Sequence, residues 1–229
     1  MLLLFLLAIA QLAAASTPEF PPSLDETSVT EKSGNIVNIE VFGESLCPDT
    51  TRFLRNHLLN LWKHYGDSGR LNITYHPFGI TRSTGCKPVG NNDYECNCQH
   101  GAKECLLNAL QACIINELPK VEEHLETVIC IQSKWELHNA LVQCVENATF
   151  NAKPILDSEK LEKCATSPEG RRLMAKHGKC QRDKAPTLYW VPWILVNGER
   201  NKEAEHSIWQ ELCKGYLDPK PAECSRALY

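Results

Sequence analysis

After its opening residues the chain has no apolar stretch long enough to cross a bilayer, which takes about 20 helical residues, so a mature protein that spans a membrane is not expected. It also lacks any run or stripe of Lys and Arg. With 24 basic against 28 acidic residues the net charge is −4. A mildly acidic surface is a poor match for a phosphate backbone, and nucleic acid is not expected as a partner. No internal repeat or low-complexity tract interrupts the 229 residues, a length that suits one domain of ordinary size, alone or carrying an insertion. The histidines are scattered, and no His-Asp-Ser pattern supports a hydrolase.

What is present begins with Met1–Ala15, MLLLFLLAIAQLAAA, an apolar run that ends in small residues. It reads as a secretory signal peptide (residues 1–15) with cleavage after Ala15. An uncleaved anchor is the alternative, but the strongly apolar part is too short to span. Two glycosylation sequons follow, at Asn72-Ile73-Thr74 and Asn147-Ala148-Thr149, and they place both asparagines on the surface of a secretory-pathway protein. Twelve cysteines decide the compartment. That density behind a signal peptide reads as a disulfide framework in an oxidising lumen. Zinc is the rival, since Cys96, Cys98, His100 and Cys105 superficially offer ligands; disulfides are preferred, and neither a metal nor a cofactor is expected. Which cysteines pair is not legible from spacing.

Residues 16–34, with Pro18, Pro21 and Pro22, read as a loose lead-in. Ile36–Phe42 is β-branched and nearly alternating, a strand that ends at Gly43. Cys47-Pro48 then opens a segment with Phe53, Leu54, Leu58, Leu61 and Trp62 at helical spacing, Pro48 suiting a first helical position. Leu71–Tyr75 reads as a second strand. From about residue 98 to 180 apolar residues recur at three and four, and cysteines sit in or beside each helix, which marks a disulfide-held helical insertion; each bridge contributes roughly 2–4 kcal/mol. Trp193–Val196 is a strand, Asn197-Gly198 a hairpin turn, and residues 203–214 a closing helix. This order predicts an α/β, thioredoxin-like fold over residues 35–224 with a disulfide-rich helical insertion.

Cys47 sits where a strand meets a helix N-terminus. Orphan N–H groups and the helix dipole favour negative charge there, so a reactive thiolate is expected; Asp49 pulls the other way, and a plain structural staple is the alternative. Val191-Pro192 lies immediately before a strand, where thioredoxin-like proteins carry a cis-proline facing their nucleophilic cysteine.

The segment from Cys98 to Cys113 carries Cys98-Gln99-His100-Gly101, then Glu104-Cys105, Asn108 and Cys113. It resembles the signature of the gamma-interferon-inducible lysosomal thiol reductases. The likeness extends over nearly the whole mature chain, including Val191-Pro192-Trp193, Asn197-Gly198, Cys213, Cys224 and the Asn72 sequon. It implies a thioredoxin-like fold, reduction of protein disulfides in lysosomes or outside the cell, and a part in host defence. His100, with Gln99 and Gly101, is read as a structural turn. Cys86, Cys96 and Cys180 fall outside the family pattern; Cys86 and Cys96 lie close enough in sequence to pair, leaving Cys180 as the odd cysteine.

The chain departs from the family at its centre. A Cys-x-x-Cys site is implied, but the residues here are Cys47-Pro48-Asp49-Thr50. The second thiol normally releases the mixed disulfide formed by the first, and Thr50 cannot do so, although its hydroxyl can hydrogen-bond the sulfur. Three readings stay open. Cys47 works as a monothiol released by a small thiol such as glutathione or cysteine; another cysteine, Cys180 for instance, resolves it or is bridged to it; or the protein is a secreted binding module without activity. A weakened thiol-disulfide activity, with catalytic Cys47 and Pro192 and a supporting Thr50, ranks first.

Overall fold

The computed structural model describes residues 34–150 and 153–225. The expected signal peptide and all but the last residue of the lead-in lie outside them. β1 (Val37–Gly43) is the central strand. Its alternation points Val37, Ile39 and Val41 into the main core, each with no exposed surface, while Glu40 and Phe42 occupy the opposite face. The chain turns through residues 44–47 into one long helical run. α1 (Pro48–Phe53) passes through a π turn (Leu54–Leu58) into α2 (Leu59–Tyr65), and Phe53, Leu54, Leu58 and Leu61 bury one face of it beneath the sheet.

β2 (Leu71–Pro77) returns parallel to β1, with Phe42 opposite His76 in register. On the other side of β1 runs antiparallel β7 (Trp193–Val196), paired in turn with β8 (Glu199–Arg200), so the sheet order is β2-β1-β7-β8. Asn197 and Gly198 form the expected turn, both with positive φ (52° and 85°), the backbone that a tight two-residue hairpin requires. α8 (Ala204–Gly215) closes the fold by packing Ile208, Trp209 and Leu212 into the main core.

Between β2 and β7 the chain is mostly helical: α3 (Ala102–Glu117), α4 (Val121–Ile131), α5 (Leu137–Ala140), α6 (Ser158–Thr166) and α7 (Pro168–Lys184). The ends of the later helices have clear causes. Asp157 caps α6 by accepting from the Lys160 N–H, and Ser167 caps α7 by accepting from the Glu169 N–H, with Pro168 at the first helical position. The segment also holds strands that apolar periodicity does not reveal. A hairpin of β3 (Gly85–Gly90) and β4 (Asp93–Asn97) precedes α3, and a minimal pair, β5 (Thr149–Phe150) with β6 (Lys153–Pro154), precedes α6.

Five disulfides staple this arrangement, and they resolve the connectivity. Cys86–Cys96 spans opposed positions of the β3–β4 hairpin, and Cys98–Cys105 closes the loop into α3. Cys113–Cys164 joins α3 to α6, Cys130–Cys144 joins α4 to the turn after α5, and Cys213–Cys224 fastens the C-terminal segment to α8. Cys47 and Cys180 remain as free thiols. With Cys96, Cys98 and Cys105 all bridged, they cannot serve as thiolate ligands, which removes the zinc reading of that cluster.

Candidate active site

The loop before Cys47 is held by the helical segment on nearly every side. The Ser45 N–H donates to Asn108 Oδ1 (2.9 Å) and the Ser45 hydroxyl to the Glu104 carbonyl (3.3 Å). The Ser45 carbonyl accepts from the Ser133 N–H at 2.9 Å, and the Glu44 carbonyl accepts from Gln132 Nε2 at 2.6 Å. A loop tied down through these backbone groups presents Cys47 in one place. Cys47 has extended backbone (φ −68°, ψ 123°) at the cap of α1.

The signature residues therefore work from beneath the site. His100 donates its backbone N–H to Glu104 Oε1 (3.1 Å), and its ring Nδ1 bonds Glu104 Oε2 (2.6 Å). Gln99 Oε1 accepts from the Ser83 hydroxyl (3.1 Å). Gly101 has φ 87°, open to glycine without strain, and its N–H bonds the Cys98 carbonyl. None of Gln99, His100 or Gly101 hydrogen-bonds Cys47, whose sulfur instead faces the Val191 carbonyl.

Cys47 is almost fully buried, 8% exposed, and its Sγ lies 3.7 Å from that carbonyl, across from the cis Val191–Pro192 bond. The expected Pro192 loop does oppose the cysteine. Thr50 is fully buried one turn on. Its buried hydroxyl favours negative charge on the Cys47 sulfur, and Gly43 makes room for its methyl: a Cβ on Gly43 would fall 2.5 Å from Thr50 Cγ2.

The expectation of a resting thiolate needs correction. Burial pushes the Cys47 thiol above its ordinary range, and the nearby Glu44 carboxylate adds to the rise. The Thr50 N–H and hydroxyl and the Asp49 N–H pull the other way without offsetting it. The helix terminus favours the anion, as its position in the sequence indicates, but desolvation is the larger effect here. Asp49, which was expected to oppose the thiolate, instead lends a backbone donor to it, and its carboxylate pairs with Arg52.

Glu44 itself escaped the sequence reading. It is fully buried, and its pKa is pushed up to about 8 by burial and by the neighbouring Glu104 carboxylate, which outweigh the pull of the Ile80 N–H. Glu44, His100 and Glu104 bring one donor atom each to within 4.8 Å of one another, so among the described residues they form a group able to hold a cation. His100 already engages both Glu104 oxygens, and a proton on Glu44 removes the remaining charge. A charged residue three positions before a cysteine at a strand end was the available signal.

The Cys47 side chain packs among Phe42, Leu188, Val191 and Trp193. Beside the helix start Leu46, Pro48 and Trp135, together with Arg52, Arg55 and Asn56, line a cavity of about 360 Å³. Tyr189 and Trp190 stand exposed just before the Val191–Pro192 bond. Trp135 is 67% exposed, a large aromatic surface for an unpartnered protein.

Cys180, the other free thiol, is on α7. Its Sγ lies 3.8 Å from His76 Nε2, so in this arrangement it engages a histidine and is not bridged to Cys47. The sequon asparagines are both exposed: Asn72 on the edge strand β2, its amide donating to Asn38 Oδ1 (2.8 Å), and Asn147 after the α5 turn.

Comparison with known proteins identifies the architecture. Residues 38–148 match the model of the family described as "Gamma interferon inducible lysosomal thiol reductase (GILT)". A GILT-like protein of Caenorhabditis briggsae is 43% identical over 196 residues, covering 86% of each chain. The chain belongs to the GILT family. A GILT-like protein of Caenorhabditis elegans is 42% identical over 196 residues, covering 86% of this chain and 87% of its own, and the gamma-interferon-inducible lysosomal thiol reductase of Carassius auratus is 27% identical over 97% of this chain and 92% of its own. Membership places this GILT protein among the thiol-disulfide oxidoreductases. Its fold is thioredoxin-like, similar to DsbA of Chlamydia trachomatis (TM-score 0.54, 14% identity, 73% of this chain and 79% of that one) and BdbD of Bacillus subtilis (TM-score 0.52, 14% identity, 72% and 78%).

Proposed function

We propose that this GILT protein is a monothiol oxidoreductase that acts through Cys47 on disulfides of protein substrates, with a small thiol completing each cycle. The observation that carries the reading is the sulfur of Cys47 set against the Val191–Pro192 loop in an apolar surround, with Thr50 in place of a second thiol. The Cys47 thiolate attacks one sulfur of a substrate disulfide; that S–S bond breaks, the departing sulfur takes up a proton, and a Cys47–substrate mixed disulfide forms. A small thiol then attacks the Cys47 sulfur and releases the substrate as a thiol. A second small thiol frees Cys47 and leaves as part of a symmetrical disulfide. The substrate disulfide gains two electrons, and two small thiols supply them.

The raised thiol pKa makes Cys47 quiet at rest. Docking of a substrate against Trp135, Tyr189 and Trp190 brings the disulfide to the sulfur, and the exposed aromatic surface of these residues supports protein or unfolded-peptide substrates over small polar ones. Five disulfides and two exposed sequon asparagines support action in an oxidising lumen, endolysosomal or extracellular.

The reading is tested by trapping. Incubated with a disulfide-bonded, partly unfolded protein and no small thiol, the natural chain accumulates a covalent mixed disulfide at Cys47 that added glutathione dissolves, whereas a Thr50→Cys variant releases its substrate unaided. Absence of any Cys47 adduct on the natural chain, with one formed by Thr50→Cys, would instead mark a binding module on an intact scaffold.

A further inference from the structure

On the face of the sheet opposite the main core, α7 lays a second thiol against β1 and β2. Cys180 Sγ is 3.8 Å from His76 Nε2, and the same nitrogen lies 3.8 Å from Glu40 Oε2. The other ring nitrogen of His76 meets His177 Nδ1 at 3.1 Å. Two imidazole nitrogens at that distance must share one proton, one donating and one accepting. His177, partly enclosed and beside His76 and Lys176, has its pKa pushed down to about 3 and stays neutral, so against a protonated His76 it is the acceptor. The proton on His76 Nδ1 is thereby fixed, and any proton on Nε2 faces the sulfur and Glu40. Phe42 stacks on the His76 ring at 4.7 Å and holds its plane. Lys184 pairs with Glu40 at 2.5 Å and adds a second positive charge near the sulfur.

We propose that Cys180 is a second reactive thiol, held as a thiolate–imidazolium pair with His76, and that it forms a mixed disulfide with a low-molecular-mass disulfide of the glutathione disulfide type. Cys180 opens on a cavity of about 280 Å³ bounded by Ile115, Asn116, Pro119, Leu173 and Lys176. That is the size of a small ligand's fragment, such as one half of a small disulfide. The arrangement is not a relay for acyl transfer: Glu40 approaches the same nitrogen as the sulfur, and His177 occupies the nitrogen that an orienting carboxylate would need. The Cys180 thiolate attacks one sulfur of the small disulfide, that S–S bond breaks, and the departing thiolate takes the Nε2 proton of His76. Cys180 is oxidised to the mixed disulfide as half of the small molecule is reduced to a thiol.

The groups facing Cys180 all favour this state but one. The His76 hydrogen bond lowers the Cys180 pKa despite burial, His76 and Lys184 lower it further by charge, and the Glu40 carboxylate opposes them. Burial works against charge on His76, yet the neighbouring Cys180 sulfur and Glu40 carboxylate outweigh this and raise its pKa. Below the thiol pKa, each unit of lowering multiplies the thiolate about tenfold and costs about threefold in intrinsic nucleophilicity, a net gain of about threefold in rate.

The test uses the full chain with glutathione disulfide as probe, read by peptide mass analysis. A Cys47→Ser variant acquires one glutathione at Cys180, and a Cys180→Ser variant carries none on the α7 peptide. In His76→Asn the alkylation rate of Cys180 falls at least about threefold at mildly acid pH, and its pH profile moves upward. Should that variant fail to fold, the natural chain's own profile decides. A Cys180 midpoint below that of an unstructured cysteine peptide supports the pair, and an ordinary or higher midpoint overturns it. Adducts confined to Cys47, or a His76→Asn profile that matches the natural one, also overturn it.

Discussion

Glu44→Gln tests the electrostatics beneath the active site. The carboxyl is fully buried, and its pKa is raised from 4.5 to about 8. A group whose folded pKa is raised contributes stability that is complete below the unfolded value and lost as pH rises through the folded one. Here the loss begins near pH 4.5 and runs to about pH 8. At about 1.4 kcal/mol per pH unit, the natural chain gives up roughly 3 kcal/mol between pH 4.5 and pH 7 because of this one group. Glutamine is neutral at every pH and of nearly the same shape, so Glu44→Gln matches the natural chain at pH 4.5 and exceeds it by roughly 3 kcal/mol at pH 7, or about 6–12 °C in Tm. Urea titrations of both proteins at the two pH values, disulfides intact, read the difference directly, and shared contributions such as the lowered pKa of Glu40 cancel in it. Stability curves that run parallel with pH would refute the reasoning, since they would mean that Glu44 keeps its charge when folded, compensated by His100 or a cation.

Other outcomes follow from the same structure. Gly43→Ala drives a methyl to within 2.5 Å of Thr50 Cγ2 and 3.0 Å of the Tyr75 ring, so it costs about 1–3 kcal/mol in thermal unfolding, partly regained by adding Thr50→Ser. Removing the Cys113–Cys164 bridge, which closes 51 residues, costs about 4 kcal/mol, against about 2 for Cys98–Cys105, which closes 7; denaturant midpoints of the paired alanine variants give that order. Asn108→Ala leaves the Ser45 N–H unpaired and buried, and it lowers both stability by about 1–3 kcal/mol and turnover at Cys47, while Asn108→Asp restores part of each.

The parts of this protein that could be read from its sequence are those written locally. β1, the Cys47-Pro48 helix start, the Pro192 loop and the Asn197-Gly198 turn each depend on a few adjacent residues. The β3–β4 hairpin did not show because its strands are short and mostly solvent-facing, so no apolar alternation marks them; Asn91 and Asn92, both with positive φ, were the usable turn signal. The Cys180–His76 pair joins residues 104 apart through the packing of α7 on β2, which no local pattern encodes. The direction of the Cys47 shift was missed for a related reason. The helix terminus is visible in sequence, whereas the burial that outweighs it, and the Glu44 charge behind it, exist only once the helical segment has folded over the loop.

The most direct test of the central claim is turnover of a disulfide-linked protein at mildly acid pH, with a small thiol supplied, by the natural chain and by Cys47→Ser. Turnover by the natural chain is expected to rise with the concentration of small thiol, because only that thiol can release Cys47, and none is expected from Cys47→Ser. Equal rates for the two proteins, or an inactive natural chain, would contradict the claim.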